Sequence, residues 1–281
     1  MTRRLVCFIA GLAIFATSTA QADVVWTAGA PGGTSGGALQ FEGDTADALL
    51  TGIQAATLTG DRGNNANTPS DYTVGLWINS DTGASNEWFL GNDGRGVHLG
   101  IQNGGGLTVG HWSADNTGST TVAAGTWVHA TFTYDADGGT VDPVTGVATG
   151  LQTVYFNGVS DGGGDNAAPL ESGGQIQLGS RRGTIGPAFD GAIDDVAIWN
   201  SVLTAEEIRD LADGTQTALA LGAEAYYDFE DDVFGTTAAV QGTGTLGAID
   251  LQGITANVPE PSSLALLLGL GGLGFLRRKR S

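Results

Sequence analysis

Thiols and positive charge are what this chain most lacks. Its 281 residues include one cysteine, Cys7, one lysine, Lys279, and three histidines. Cys7 and Lys279 lie near the two ends, so the stretch between them has no disulfide, no thiol nucleophile and no cysteine-based zinc site. There are 11 Lys and Arg against 30 Asp and Glu, and Arg3, Arg4, Arg277, Arg278, Lys279 and Arg280 crowd into the termini. In the middle, Arg62, Arg95, Arg181, Arg182 and Arg209 face 29 acids, a net charge of about −24. A body charged in this way repels phosphate backbones and anionic lipid heads, which excludes a nucleic-acid partner and favours cations and neutral ligands. Glycine is abundant, at 47 residues, and 41% of the chain is hydrophobic, which excludes a disordered tail.

Arg3 and Arg4 precede an apolar run of 12 residues, Leu5 to Ala16, followed by Ala20-Gln21-Ala22. The run is short of the ~20 residues a spanning helix needs, and small residues at Ala20 and Ala22 form a cleavage site for signal peptidase. Residues 1–22 are therefore expected to be a secretory signal peptide, with the mature chain starting near Asp23.

At the other end, Val258-Pro259-Glu260-Pro261 leads to an apolar stretch from Leu264 to Leu276 and the cluster Arg277-Arg278-Lys279-Arg280. The prolines break continuity with the body. The apolar stretch reads as a short, marginal transmembrane helix, and the basic cluster stays on the cytoplasmic side. Residues 258–281 resemble the PEP-CTERM sorting signal of Gram-negative bacteria, carried here by Pro259, Glu260, Pro261, the short helix, Arg277 and Arg278. The resemblance implies processing by an exosortase-type membrane protease, transient anchoring in the inner membrane and delivery to the envelope or an exopolysaccharide matrix. The membrane would be met only through this segment.

Residues 23–257 read as one all-β domain. Tyr72, Val74, Leu76 and Ile78 alternate with Thr73, Gly75, Trp77 and Asn79. Val97, Leu99 and Ile101 form another period-two set, as do Val128, Ala130, Phe132 and Tyr134, and Gln152, Val154 and Phe156, which end at Asn157-Gly158. Strands with one apolar face, joined by Gly-, Asp- and Asn-rich turns, predict two packed antiparallel sheets. One short helix is expected near the C-terminal end. Thr204 and Glu207 have capping-box spacing, Leu203 and Ile208 can staple, and Gly214 can terminate it. It is expected to seal one end of the sandwich.

The run from Phe189 to Asn200, continuing through Leu203 to Ile208, resembles the C-terminal signature of laminin-G-like, concanavalin A-like jelly rolls. Ala38 to Gly43, Tyr72 to Asn79, Gly125 to Ala130 and Ala225 to Phe229 resemble further strands of that family. The resemblance implies a jelly-roll sandwich in a secreted protein; function varies too widely on this fold to follow from it.

Little catalytic chemistry is legible. Gly33-Thr34-Ser35-Gly36-Gly37 matches a nucleophile-elbow string without its strand and helix. Gly242-Thr243-Gly244-Thr245-Leu246-Gly247 opens onto a strand pattern where a dinucleotide needs a helix N-terminus. A polysaccharide-cleaving glycoside hydrolase on the same scaffold is the rival reading, because Glu42, Asp44 and Asp47, or Asp228, Glu230 and Asp232, could supply paired carboxyls. Position 47, however, is Asp where the related glucanases carry Glu. Structural Ca2+ is expected to use Glu42 and Asp47 with Asp194 or Asp195, because related jelly rolls set their first and last strands side by side. Asp135-Ala136-Asp137-Gly138 opens like an EF-hand but places Gly146 where the bidentate Glu belongs. His98, His111 and His129 are too scattered for zinc, and His129 is expected to be structural. Trp77, Trp127 and Trp199 lie in strand patterns and are assigned to the core, leaving Trp88 and Trp112 as candidate ligand-binding aromatics. These observations point to a secreted, non-catalytic binding or structural module that contacts polysaccharide or a surface protein.

Overall fold

The computed structural model describes residues 25–33, 36–43, 49–55, 70–83, 86–92, 96–111, 115–146, 148–166, 174–181, 187–229, 237–238 and 249–250. The signal-peptide residues Ala20 and Ala22, the sorting residues Pro259, Glu260, Pro261, Arg277 and Arg278, and Asp47, Trp112 and Glu230 lie outside them. Among the described residues, no helix is long and apolar enough to cross a membrane.

Two antiparallel sheets form the domain. The first runs, in spatial order, β1 (Val25–Ala28), β2 (Gly37–Glu42), β13 (Asp190–Trp199), β4 (Tyr72–Ser80), β9 (Val128–Asp135), β10 (Gly150–Phe156) and β11 (Val159–Asn166). β14 (Ala225–Tyr227) pairs with the second half of β13, whose first half pairs with β2. The second sheet runs β3 (Leu49–Gln54), β12 (Gln175–Leu178), β5 (Glu87–Asn92), β6 (His98–Gln102), β7 (Gly106–Gly110) and β8 (Asp115–Thr121). A separate two-residue ladder joins β15 (Thr237–Ala238) to β16 (Ile249–Asp250).

Alternation sets the core between these layers. Val74, Leu76 and Ile78 of β4 and Val128, Ala130 and Phe132 of β9 meet Phe89, Leu90, Leu99, Ile101, Leu107 and Val109 of the second sheet. Asn157 and Gly158 both take positive φ, 48° and 79°, which gives the tight β10–β11 turn the twist its strands need.

At one side the sheets are tied together by polar groups. Asp161 of β11 accepts hydrogen bonds from the Ser119 hydroxyl at 2.9 Å and from the Thr120 amide at 3.0 Å, both on β8. Asn116 of β8 donates to the Gln152 side chain of β10 at 2.7 Å. Burial pushes the Asp161 carboxyl up, but the Thr120 and Ser119 bonds outweigh it and leave the group below the usual carboxylate range. A depressed folded-state pKa adds stability that is present above the unfolded value, about 3.9, and is lost as pH falls through the folded value. Asp161→Asn is therefore expected to cost roughly 1 kcal/mol at neutral pH, a cost that shrinks below about pH 4, as read from urea melts across that range.

The helix α1 (Ala205–Ala212) forms as its caps predict. Thr204 and Glu207 exchange both capping-box bonds, and Gly214 follows at φ +72°. Its position differs from the expectation. α1 lies on the outer face of the first sheet and does not close an end of the sandwich. Ala197 and Trp199 occupy the out-facing phase of β13, and a second apolar cluster of these residues with Leu203, Ile208, Ala218 and Tyr226 holds the helix there. Gly75 of β4 leaves room for Leu211, whose Cδ2 would stand 3.4 Å from a Cβ at that position.

Candidate functional site

Beside α1, the same outer face carries a pocket of about 110 Å³. Strand register assembles it. His129 of β9 pairs across to Trp77 of β4, and Trp77 pairs across to Asp194 of β13. Between Asp194 and Ala197 the register shifts, so three steps on β13 span two on β4. This is a bulge, and Asp195 sits in it at φ +48°. The extra residue puts both Asp194 and Asp195 on the outer face between the core-facing Ile193 and Val196.

The two neighbouring carboxyls then do different work. Asp194 is fully buried and accepts the amides of Ala30 at 2.8 Å and Asp195 at 2.7 Å, which pins the turn between β1 and β2 against the sheet. Asp195 lines the pocket and accepts a hydrogen bond from the Tyr226 hydroxyl on Oδ1. Tyr226 reaches it because β14 pairs Tyr226 with Ala197, just past the bulge. Opposite, Trp77 is partly exposed and meets His129 edge-on at 5.1 Å between centroids. Burial lowers the His129 pKa to about 4, so its imidazole is neutral at pH 7 and its Nδ1 lies 3.3 Å from the Thr131 hydroxyl. Gln216, Thr217 and the backbone of Gly32, Gly33 and Gly214 complete the rim.

Such a lining offers an aromatic ring, a fixed carboxylate, a neutral imidazole and amide and hydroxyl groups. It suits a small polar ligand with an apolar face. Asp195 is the one carboxyl among the described lining residues, whereas retaining glycosidic cleavage needs two about 5 Å apart.

Of the aromatics and acids read from the sequence, Asp195 lines this pocket, while Trp88, Glu42 and Asp194 do not. Trp88 is fully buried, with Arg181 Cζ 4.6 Å over its ring and His98 edge-on at 4.8 Å, so it presents no face to a ligand. The cause is the glycine pattern of the second sheet: Gly100 leaves a gap into which the ring falls, 2.6 Å from where a Cβ would stand. Of the calcium candidates, Glu42, Asp194 and Asp195 fall within the described residues. β2–β13 register sets Glu42 opposite Asp190, four residues and thus about 13 Å along the strand from Asp194. Asp194 spends its oxygens on backbone amides, and the described residues contain no group of three or more His, Cys, Asp or Glu that could hold a metal. Trp199 is buried as expected, but beneath α1 and not between the sheets.

Trp77 and His129, assigned to core and scaffold from the sequence, are among the pocket residues that reading missed, as is Tyr226. The signal of Trp77 and His129 was present in the alternation, since both occupy the phase opposite to the core-facing Leu76, Ile78, Val128 and Ala130.

Comparison with known proteins agrees with this fold. Residues 51–209 match the profile of the concanavalin A-like lectin/glucanases superfamily, laminin-G type, and residues 257–280 match the PEP-CTERM protein-sorting motif. No curated protein sequence matches the chain. Among solved structures, the heptameric SAP-like pentraxin of Limulus polyphemus is similar at 16% identity and TM-score 0.44, over 62% of this chain and 80% of that one. A candidate carbohydrate-binding protein of Bacteroides ovatus is similar at 19% identity and TM-score 0.48, over 64% of this chain and 51% of its own. Domain 4 of an extracellular arabinanase from Geobacillus stearothermophilus, in complex with arabinotriose, is similar at 22% identity and TM-score 0.45, over 66% and 81%. With more than half its length inside the family profile and a two-sheet sandwich to match, the chain belongs to the concanavalin A-like lectin/glucanases superfamily and ends in a PEP-CTERM sorting motif.

Proposed function

We propose that this is an exported, non-catalytic glycan-binding protein of the cell envelope or exopolysaccharide matrix, with its ligand held in the pocket beside α1. In this reading, residues 1–22 are removed by signal peptidase, residues 23–257 bind, and residues 258–281 hold the chain in the membrane until an exosortase-type protease cuts near Pro259. The observation that carries it is the convergence of Trp77, Asp195 and Tyr226 on an outer sheet face, with one carboxyl among the described lining residues. A partly exposed aromatic ring beside a fixed acceptor serves a sugar's apolar face and its hydroxyls together. The strongly acidic body favours neutral glycans over acidic ones.

Retention of the full chain on immobilised neutral polysaccharides tests this reading. Trp77→Ala is expected to weaken retention by roughly tenfold or more, given that hot-spot aromatics are worth about 2 kcal/mol or above. Trp77 lies outside the core between the sheets, so the melting temperature should change little. Unchanged retention in a folded Trp77→Ala would remove the pocket from the function, and retention on a protein partner alone would replace glycan by a surface protein as ligand.

A further inference from the structure

Resting on that glycan-binding reading, we infer that the pocket takes the uncharged terminal residue of a glycan chain, end-on, and rejects both internal residues and acidic sugars. Size comes first. At about 110 Å³ the pocket is well below the roughly 300–1,000 Å³ of sites that swallow a drug-sized ligand. It is somewhat smaller than the roughly 150 Å³ cavity that accommodates benzene. It therefore has room for most of one six-membered ring and not for two joined ones.

Shape points the same way. On one side the turn between β1 and β2 closes onto the site: a Cβ at Gly32 would stand 2.6 Å from Trp77 Cζ2, and one at Gly33 would stand 2.2 Å from Asp195 Oδ2. Asp194 holds this turn down through the Ala30 amide. On the other side stand Leu211 of α1 and the segment that follows the helix, itself tied to the sheet by the Glu224 amide bonding the Ile198 carbonyl at 2.8 Å. A polymer threading through would have to displace one of these walls, whereas a chain end enters without moving either.

Charge sets the class of sugar. The described lining contains no Lys or Arg, His129 is kept neutral by burial, and the Tyr226 hydroxyl already orients the Asp195 carboxylate. A uronate or sialate placed there would lie beside the Asp195 carboxylate in a lining whose described residues include no Lys or Arg, inside a body already near −24.

Titration of the full chain, followed by tryptophan fluorescence, tests the inference with gluco-, manno- and galacto-oligosaccharides in three forms. These are linear chains of three to six residues, cyclic glucans that have no end, and linear chains whose terminal C6 is oxidised to the carboxylate. The expected result is that at least one linear series binds with an affinity that stays within about twofold as the chain lengthens. Cyclic glucans should fail to bind, and terminal oxidation should weaken binding roughly tenfold or more. Trp77→Ala should abolish the response, and so should Gly32→Ala, whose backbone takes no positive φ and which acts by crowding Trp77. Having two such variants guards against a folding defect in either. Binding of cyclic glucans, or affinity that climbs with chain length, would overturn end-on recognition while leaving glycan binding in place. Equal binding of the oxidised chains would overturn the charge argument. Binding of a lysine-rich peptide in place of every sugar would make the site one for ammonium groups, and a folded chain that binds no glycan in any form would sink the underlying reading along with the inference.

Discussion

Asp194→Ala is expected to lower the free energy of unfolding by roughly 2–5 kcal/mol, a large part of the 5–15 kcal/mol typical of a domain. The fully buried carboxyl accepts two amides, from Ala30 and Asp195, at 2.8 and 2.7 Å. Truncating it leaves both donors unpaired away from water, at roughly 1–3 kcal/mol each. The Ala30 amide belongs to the turn that walls the pocket, so ligand binding should fall as well. Asp195→Asn makes the contrast. Asn tolerates the left-handed backbone found there, φ +48°, and its carbonyl can still accept from Tyr226, so stability should stay within about 1 kcal/mol of the parent. Affinity for the sugar should nevertheless drop, because a charge-assisted acceptor becomes a neutral one. Urea unfolding followed by tryptophan fluorescence reads the first effect, and a parent-like midpoint for Asp194→Ala would show that the turn is held by something else.

Removing Pro259 to Ser281 should have the second large effect, moving the protein from the envelope fraction into the medium. From Leu264 to Leu276 an unbroken helix would rise about 20 Å, against a hydrocarbon core of about 30 Å. Such a span would be weak by itself and would depend on Arg277, Arg278, Lys279 and Arg280 to hold the cytoplasmic side. Such a segment suits temporary retention before cleavage near the Pro-Glu-Pro. Fractionation with intact-mass measurement should find the parent in the envelope and shortened at its C-terminus, and the truncated chain soluble outside the cell. An unchanged envelope fraction for the truncation would mean that residues 23–257 carry their own address.

The sandwich was legible where one face of a strand meets the core and the other does not. β4, β9, β10 and β13 announce themselves through alternation, and α1 through Thr204, Glu207 and Gly214. β8, with sequence DNTGSTT, and β11, with VSDGGGDN, show no such alternation, because they are mostly exposed and their Asp161 and Asn116 contacts join sheet to sheet through polar groups. The pocket was half legible. The adjacent Asp194 and Asp195 between Ile193 and Val196 break a period of two, which is the mark of a bulge, but nothing local says that one carboxyl is structural and its neighbour is not. That division depends on the Ala30 amide and the Tyr226 hydroxyl, which arrive from 164 and 31 residues away. The fate of Trp88 was hidden for a related reason, since its burial follows from Gly100 across the sheet and from Arg181 above the ring. The position of α1 needed the same long-range information. Its caps are local, but the surface it covers is set by Ala197, Trp199 and Gly75 on two different strands.

A long incubation of the full chain with the neutral polysaccharide it retains, assayed together for bound protein and for new reducing ends, tests the central claim most directly. Saturable retention that disappears in Trp77→Ala, with no reducing ends above those of the polysaccharide alone, is the predicted result. Reducing ends that accumulate with the parent chain and vanish in Asp195→Asn would make the pocket a place where glycosidic bonds are cut, and would contradict it.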